Sequence, residues 1–336
     1  MADRKIGSQT IKFNKPPSII GTGTVVGPKE GIGPLKDYFD LIINDDLYSE
    51  KSWEKAERKM LKEASEMAIK NSKIPFANIE YFISGDLLNQ IISSAFTARE
   101  LGSPFLGIYG ACSTIAEGMG LGAILIDGGY ADNLLVATSS HFCTAERQFR
   151  FPLELGNQRP PTAQWTVTGA GAAVVSSDIK NPRITYFTFG KIIDMGEVDS
   201  NSMGTAMAPA AVDTMIRHFQ DTGRTPDYYD LIVTGDLSSI GKDVAEDLMK
   251  QKGYDISNNY TDCGIMIYNN KQDVHSGGSG CACAATVTCG YLFKQMLEKK
   301  YNRVLLVATG ALLSTTSSQQ GETIPCIAYA LSLENL

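Results

Sequence analysis

The chain has 336 residues, 43% hydrophobic and 20% charged, which is enough for a large core in one or two domains. Its formal net charge of −7 leaves no broad basic surface to neutralise a phosphate backbone, so general nucleic-acid binding is excluded. Seven cysteines, at positions 112, 143, 263, 281, 283, 289 and 326, show no disulfide framework. Most sit among small apolar residues, the pattern of a reducing, intracellular compartment. The polar start "MADRKIGSQTIKFNK" lacks the apolar run of a secretory signal, and no stretch is long and apolar enough to predict a membrane span. A soluble protein is expected.

"SIIGTGTVV" (18–26) predicts the first strand. Its glycines superficially suggest a dinucleotide fingerprint, but the third comes one place late and Pro28 follows, so a strand with tight turns is the better reading. "WEKAERKMLKEASEMAIKN" (53–71) carries Ala56, Met60, Ala64, Met67 and Ala68 at helical spacing, with a charged, solvated opposite face. "YFISGDLLNQ" (81–90) is a strand whose Asp86 reads as a turn former or helix cap. "GIYGACSTIAEGMGLG" (107–122) then places one cysteine, Cys112, directly before a helix. Residues 113–129 hold Gly118, Gly120, Gly122, Gly128 and Gly129. So much glycine costs helix stability and needs a packing reason, which predicts a buried helix pressed closely by its neighbours. "NLLVATSS" (133–140) and "GAGAAVVSS" (169–177) complete this part with two strands.

The order then repeats. "RITYFTFG" (183–190) opens it, "AAVDTMIRHF" (210–219) shows a second helical period, and "LIVTGDLSSI" (231–240) echoes the first Gly-Asp strand, with Asp236 in the place of Asp86. "RVLLVATGALLS" (303–314) echoes "NLLVATSS", and at the spacing that pairs Thr138 with Thr309, Cys112 pairs with Cys283. We read a duplication, residues 1–179 and 180–336, each half alternating strands and helices in an α/β architecture of mainly parallel sheets. Two buried small-residue helices, after Cys112 and after Gly280, stack between two sheets. "CACAATVTC" (281–289) lacks paired zinc-ligand spacing on such a helix, so no metal site is expected.

That layout resembles the thiolase fold of thiolases and β-ketoacyl synthases. "YGACSTIAEGM" (109–119) is similar to their nucleophile loop, "GAGAAVVSS" to the strand closing the first half of the ketoacyl-synthase III branch, and "VHSGGSG" (274–280) to the histidine and glycine-rich turn before the second central helix. The resemblance implies five layers, α-β-α-β-α, and a homodimer formed through sheet edges near "NLLVAT". It also implies a pocket holding Cys112 and His275. Claisen condensation or thiolysis needs a thiolate, a proton-steering group and an oxyanion hole. Cys112 at a helix N-terminus and His275 keep two of these. The family's second histidine is missing from "LIVTGDLSS", and the thiolases' second cysteine is missing from "VATGALLS", which offers Thr309 and Gly310. Losing the general acid–base group lowers a rate by about 10²–10⁴-fold, which points to a vestigial site.

More narrowly, "SIIGTGTVVGPKEGIGPLKDYFD" (18–40), "CSTIAEGM" (112–119) and "HFCTAERQFRFPLE" (141–154) resemble the stage V sporulation protein AD family of spore-forming bacteria. This implies a non-enzymatic binding protein for dipicolinic acid (pyridine-2,6-dicarboxylate), acting in its uptake into the developing spore. It implies peripheral association with the spore inner membrane alongside membrane proteins of the same operon. Two desolvated carboxylates need charged or backbone donors, and a pyridine ring suits an aromatic face. The expected ligand contacts are therefore Cys112, His275, Ser276, His141, Arg147, Arg150, Arg159, Trp165 and Thr309. No cofactor is expected, although calcium can accompany the ligand. The alternative left open is an acyl-transferring, thiolase-like or ketoacyl synthase-like enzyme using Cys112.

Overall fold

The computed structural model describes residues 4–149 and 159–336. The first half runs β1 (Ser18–Val26), α1 (Trp53–Ser72), β2 (Tyr81–Asp86), α2 (Ile92–Leu101), β3 (Phe105–Gly107), α3 (Thr114–Asp127), β4 (Asn133–Ser140), α4 (Phe142–Phe149) and β5 (Gly169–Ser176). The second runs β6 (Arg183–Thr188), α5 (Met203–Thr222), β7 (Leu231–Gly235), α6 (Ser238–Gln251), β8 (Tyr260–Asp262), α7 from Cys281, β9 (Arg303–Ala311) and β10 (Cys326–Glu334). Their strands follow the order β8-β7-β9-β10-β6-β1-β5-β4-β2-β3. The two sets of five meet only where Arg183 of β6 pairs with Ser18 of β1. Within each set the order is the same, so the repeat legible in the sequence is a repeat of topology.

The layers follow from where each helix buries its face. α1 starts at Ser52, whose side chain caps the Lys55 amide, and buries Ala56, Met60, Leu61, Ala64 and Ala68 on the outside of the first sheet. α5 does the same for the second sheet with Met207, Ala211, Met215 and Phe219, and carries Pro209 within its span. α3 and α7 lie between the sheets and contact each other. This is an α/β, thiolase-like arrangement with two central helices.

The glycines of α3 have the packing reason that their number demands. A Cβ on Gly120 would stand 2.4 Å from the Phe187 ring, and one on Gly118 would stand 2.6 Å from Val136. The helix is therefore gripped from both sheets. α7 begins as an α-helix (Cys281–Thr286), widens into a π-helical turn (Val287–Leu292) and ends as an α-helix (Phe293–Leu297). Nothing in the small-residue run predicts that widening. No helix among the described residues is long and apolar enough to cross a membrane.

One expectation is corrected here: the sheets are mixed rather than mainly parallel, because β5 pairs antiparallel with β1 and β4, and β10 pairs antiparallel with β6 and β9. β4, which carries "NLLVAT", pairs with β2 on one side and β5 on the other. The edge on that side is β3, all three of whose residues are exposed.

Candidate functional site

Cys112 sits in a tight 3₁₀ turn, Ala111–Ser113, that leads into α3. Ala111 is held at φ 49°, a left-handed conformation that costs a non-glycine residue of order 1 kcal/mol or more. The turn is fastened by local bonds: Ser113 Oγ donates to the Gly110 carbonyl (2.6 Å), Thr114 Oγ1 donates to the Ala111 carbonyl (2.6 Å), and the Gly110 amide donates to Thr114 Oγ1 (3.1 Å). From across the molecule, Cys281 Sγ donates to the Ala111 carbonyl (3.0 Å). The starts of the two central helices thus meet at one place, as the duplication implied.

Their meeting point lines a small cavity of about 40 Å³. Its wall consists of Leu87, Tyr109, Ala111, Cys112, Ala145, Phe149, Thr166, Met203, Ser279, Gly280, Ala311 and Leu313. No histidine, acid, lysine or arginine is among these residues. Asp236, which follows the second Gly-Asp strand, is fully buried with the Cys283 thiol beside its carboxyl. Burial, then the neighbouring Asp262, pushes its carboxyl well up, toward the neutral acid. The cap expected of Asp236 is supplied instead by Asp262, which accepts from the Leu237 (3.0 Å), Ser238 (2.8 Å) and Gly264 (2.8 Å) amides. Asp86 does act as expected, accepting from the Leu88 (3.0 Å) and Ser94 (2.8 Å) amides.

His275 and Ser276 line a different cavity, of about 330 Å³, together with Ser239, Tyr268, Asn269, Asn270 and Asp273. The two are separated by Gly278–Ser279, which pairs with Trp165–Thr166 as a short parallel ladder. His275 and Asp273 both adopt positive φ, at 55° and 50°. His275 Nδ1 donates to the Pro160 carbonyl (2.8 Å), and its Nε2 lies 3.3 Å from Asp273 Oδ1. Beside this cavity the Trp165 indole stacks on Phe142 (3.7 Å between centroids) and carries two cations, Lys29 at 3.6 Å and Arg159 at 4.7 Å. Arg159 is tied to Asp273 by a bond to its carbonyl (2.8 Å) and a 3.5 Å ion pair. Burial, then Arg159, lowers the Lys29 ammonium. Two like charges held this close favour an anion.

The remaining expected contacts are placed elsewhere. Arg147 pairs with Glu54 over the Trp53 ring and lines neither cavity. Arg150 lies outside the described residues. His141 is buried, donating from Nε2 to the Asp46 carbonyl (2.8 Å) and accepting the Cys143 amide at Nδ1 (3.1 Å), and burial pushes it down. Thr309 Oγ1 donates to the Gly235 carbonyl within the sheet. The sequence reading missed Lys29, Asn269 and Asn270. Its one available signal for Lys29 was a basic residue in a turn beside a predicted pocket. No group of three or more metal-ligating side chains occurs among the described residues.

Comparison with known proteins agrees with this architecture. 3-Oxoacyl-[acyl-carrier-protein] synthase III from Aquifex aeolicus VF5 superposes with a TM-score of 0.60 at 14% identity, covering 95% of this chain and 100% of that one. A cerulenin-bound OleA from Xanthomonas campestris superposes with a TM-score of 0.63 at 16% identity, covering 97% and 100%. At such identities these likenesses concern the fold alone. Stage V sporulation protein AD from Bacillus subtilis (strain 168) is 48% identical over 328 residues, 98% of this chain and 97% of that protein. The model of the stage V sporulation protein AD (SpoVAD) family matches residues 7–334. The chain belongs to the stage V sporulation protein AD family.

Proposed function

We propose that this protein binds dipicolinic acid without transforming it, and serves the uptake of that dicarboxylate into the developing spore. The observation that carries the non-enzymatic part is the lining of the Cys112 cavity. Among the described residues its wall carries no histidine, acid, lysine or arginine, and Tyr109 is its one other titratable side chain, which supports a site without the proton-steering group that acyl transfer requires. Burial drives the Tyr109 hydroxyl far upward, so it stays a neutral phenol.

The binding part rests on the second cavity. A dianion leaving water needs charged donors, and the described residues lining the Cys112 cavity offer none. The His275 cavity has an imidazole, two side-chain amides and two serine hydroxyls, with Lys29 and Arg159 beside it on an aromatic face. Asp273 also faces that cavity and already occupies Arg159. A free dianion must share Arg159 with it, whereas a calcium-bound ligand brings a cation that Asp273 can meet. Family membership supports the further reading that the protein works with membrane proteins of the same operon at the spore inner membrane. The open β3 edge supports a homodimer: Phe105 and Leu106 are exposed there beside unpaired backbone groups.

The test is a calorimetric titration of the purified protein with dipicolinic acid, with and without calcium, beside mass analysis after incubation with acyl-CoA. Saturable heat and no adduct are expected. Absence of heat in both arms overturns the binding assignment, and an acyl adduct on Cys112 establishes the enzyme reading instead.

A further inference from the structure

Behind one wall of the Cys112 cavity lie two buried carboxyls from different elements, Glu57 of α1 and Asp86 at the end of β2. Each fastens a piece of that wall. Asp86 takes the Leu88 amide on one oxygen and, on the other, the amide and the hydroxyl of Ser94 (2.8 and 2.7 Å), which fixes the turn that presents Leu87. Glu57 accepts from Ser139 Oγ at the end of β4 (3.1 Å) and from Thr144 Oγ1 in the first turn of α4 (2.9 Å). α4 in turn presents Ala145 and Phe149 to the cavity.

We propose that Glu57 and Asp86 form a proton-linked latch that holds the Leu87 turn and α4 closed over the Cys112 cavity. One proton on the pair, rather than none, keeps both carboxyls compatible with burial. Losing it leaves two buried like charges, which separate by letting α4 or the Leu87 turn move into water. Among the described residues no cation neutralises the second charge, and on the Cys112 side Asp86 faces Tyr109 and Cys281, which can only add negative charge. The strands packed under α1, β1 and β5, carry no ionisable side chain, and β4 offers only hydroxyls toward Glu57. On α2, Glu100 is engaged with Arg58 and Lys62. Arg99 of the same helix lies over the Phe96 ring. On α4, Arg147 is paired with Glu54, Glu146 adds another acid, and Cys143 is raised by burial to about 11. His141, which precedes α4, points to the Asp46 carbonyl. Burial, then Asp86, raises Glu57 to about 8, which sets the range in which the latch responds.

The direction follows from linkage. The closed form keeps the proton and the opened form gives it up, so opening grows with pH until the closed form also ionises. Hydrogen exchange of peptides spanning 86–94 and 142–149, corrected for intrinsic rates, reads this directly. Between pH 6 and 8 their opening is expected to rise by up to about tenfold per unit and to level off above 8. Peptides from α5 are the internal control and are expected to stay flat over that range. In Glu57→Gln, which keeps the side-chain shape, the rise disappears. Infrared difference spectra between the wild type and Glu57→Gln, which cancel the other buried acids such as Asp236 and Glu30, are expected to show a protonated carboxyl band at pH 6.5 that is lost by pH 9. A wild type without the rise, a Glu57→Gln protein that keeps it, or no protonated carboxyl at pH 6.5 would overturn the proposal.

Discussion

Cys112 and His275 line two different cavities, separated by the two-residue ladder between Gly278–Ser279 and Trp165–Thr166. In sequence both belong to stretches similar to an acyl-transfer site. In space one ends an apolar pocket and the other borders a polar one with cations beside it. This division drives the functional reading: Cys112 sits in its strained turn beside an apolar wall, while the polar and cationic groups collect next door.

Removing the thiol therefore has a small effect on ligand binding. Cys112→Ala is expected to change the dissociation constant for dipicolinic acid by less than about threefold, under ~0.7 kcal/mol. Calorimetry checks it, and a loss of tenfold or more would relocate the ligand to the Cys112 cavity.

Arg159→Ala removes a guanidinium that lies over Trp165 and pairs with Asp273. Loss of a charge-assisted donor to a carboxylate costs about 1.5–3 kcal/mol, on the order of ten- to a hundredfold in affinity. Arg159→Lys is expected to recover only part of this, because an ammonium cannot make the planar two-point contact. Full recovery by lysine would mean that only charge matters there.

Stability is expected to peak on the acid side of neutrality. Burial first, then Asp86, raises Glu57 to about 8, and burial raises Glu30 to about 7, so both stay protonated in the fold while the unfolded chain ionises near 4.5. Each such group contributes stability that is complete below about 4.5 and is lost as pH rises through its folded value, at ~1.4 kcal/mol per pH unit within that window. His218 acts in the opposite direction. Burial, then Arg224, lowers it to about 3, so its contribution is complete above about 6.5 and falls as pH drops toward 3. Denaturant unfolding across pH 4–9 reads both limbs. Glu57→Gln should flatten the alkaline limb, and an unchanged limb would show that Glu57 is ionised in the fold.

Much of the fold was legible in the sequence because periodicity and small-residue runs report burial directly. "SIIGTGTVV" coincides with β1, residues 53–71 fall within α1, and the glycine-rich run became the central helix gripped by Phe187 and Val136. The candidate site was less legible, because a cavity is lined by residues whose order along the chain says little about what they face. Leu87, Met203 and Leu313 come from three distant places in the chain, a turn after β2, the start of α5 and the segment after β9, and each reads locally as an ordinary apolar residue. Asp236 shows the same limit within the repeat. It occupies Asp86's place in the motif, yet Asp262, from a strand further on, took over the capping bonds.

The Cys112 turn is braced from behind by β9. A Cβ on Gly310 would stand 2.0 Å from the Gly110 carbonyl oxygen, inside any permissible contact. Gly310→Ala is expected to destabilise the protein by about 1–3 kcal/mol, since backbone has to shift. Denaturant unfolding measures it, and a change under ~0.5 kcal/mol, the usual range of surface substitutions, would show that the turn yields freely.

Leu106→Lys places a charge on the exposed β3 edge without touching either cavity. If a second copy pairs there, light scattering after size exclusion should shift from dimer to monomer. A variant that stays dimeric would place the interface elsewhere.

The most direct test of the account is a paired calorimetric titration with dipicolinic acid, with calcium present, of a His275→Ala/Ser276→Ala variant and of Cys112→Ala. The account predicts that the first loses saturable heat and the second keeps it. Binding lost in Cys112→Ala and kept in the double variant would contradict it, returning the ligand to the Cys112 cavity.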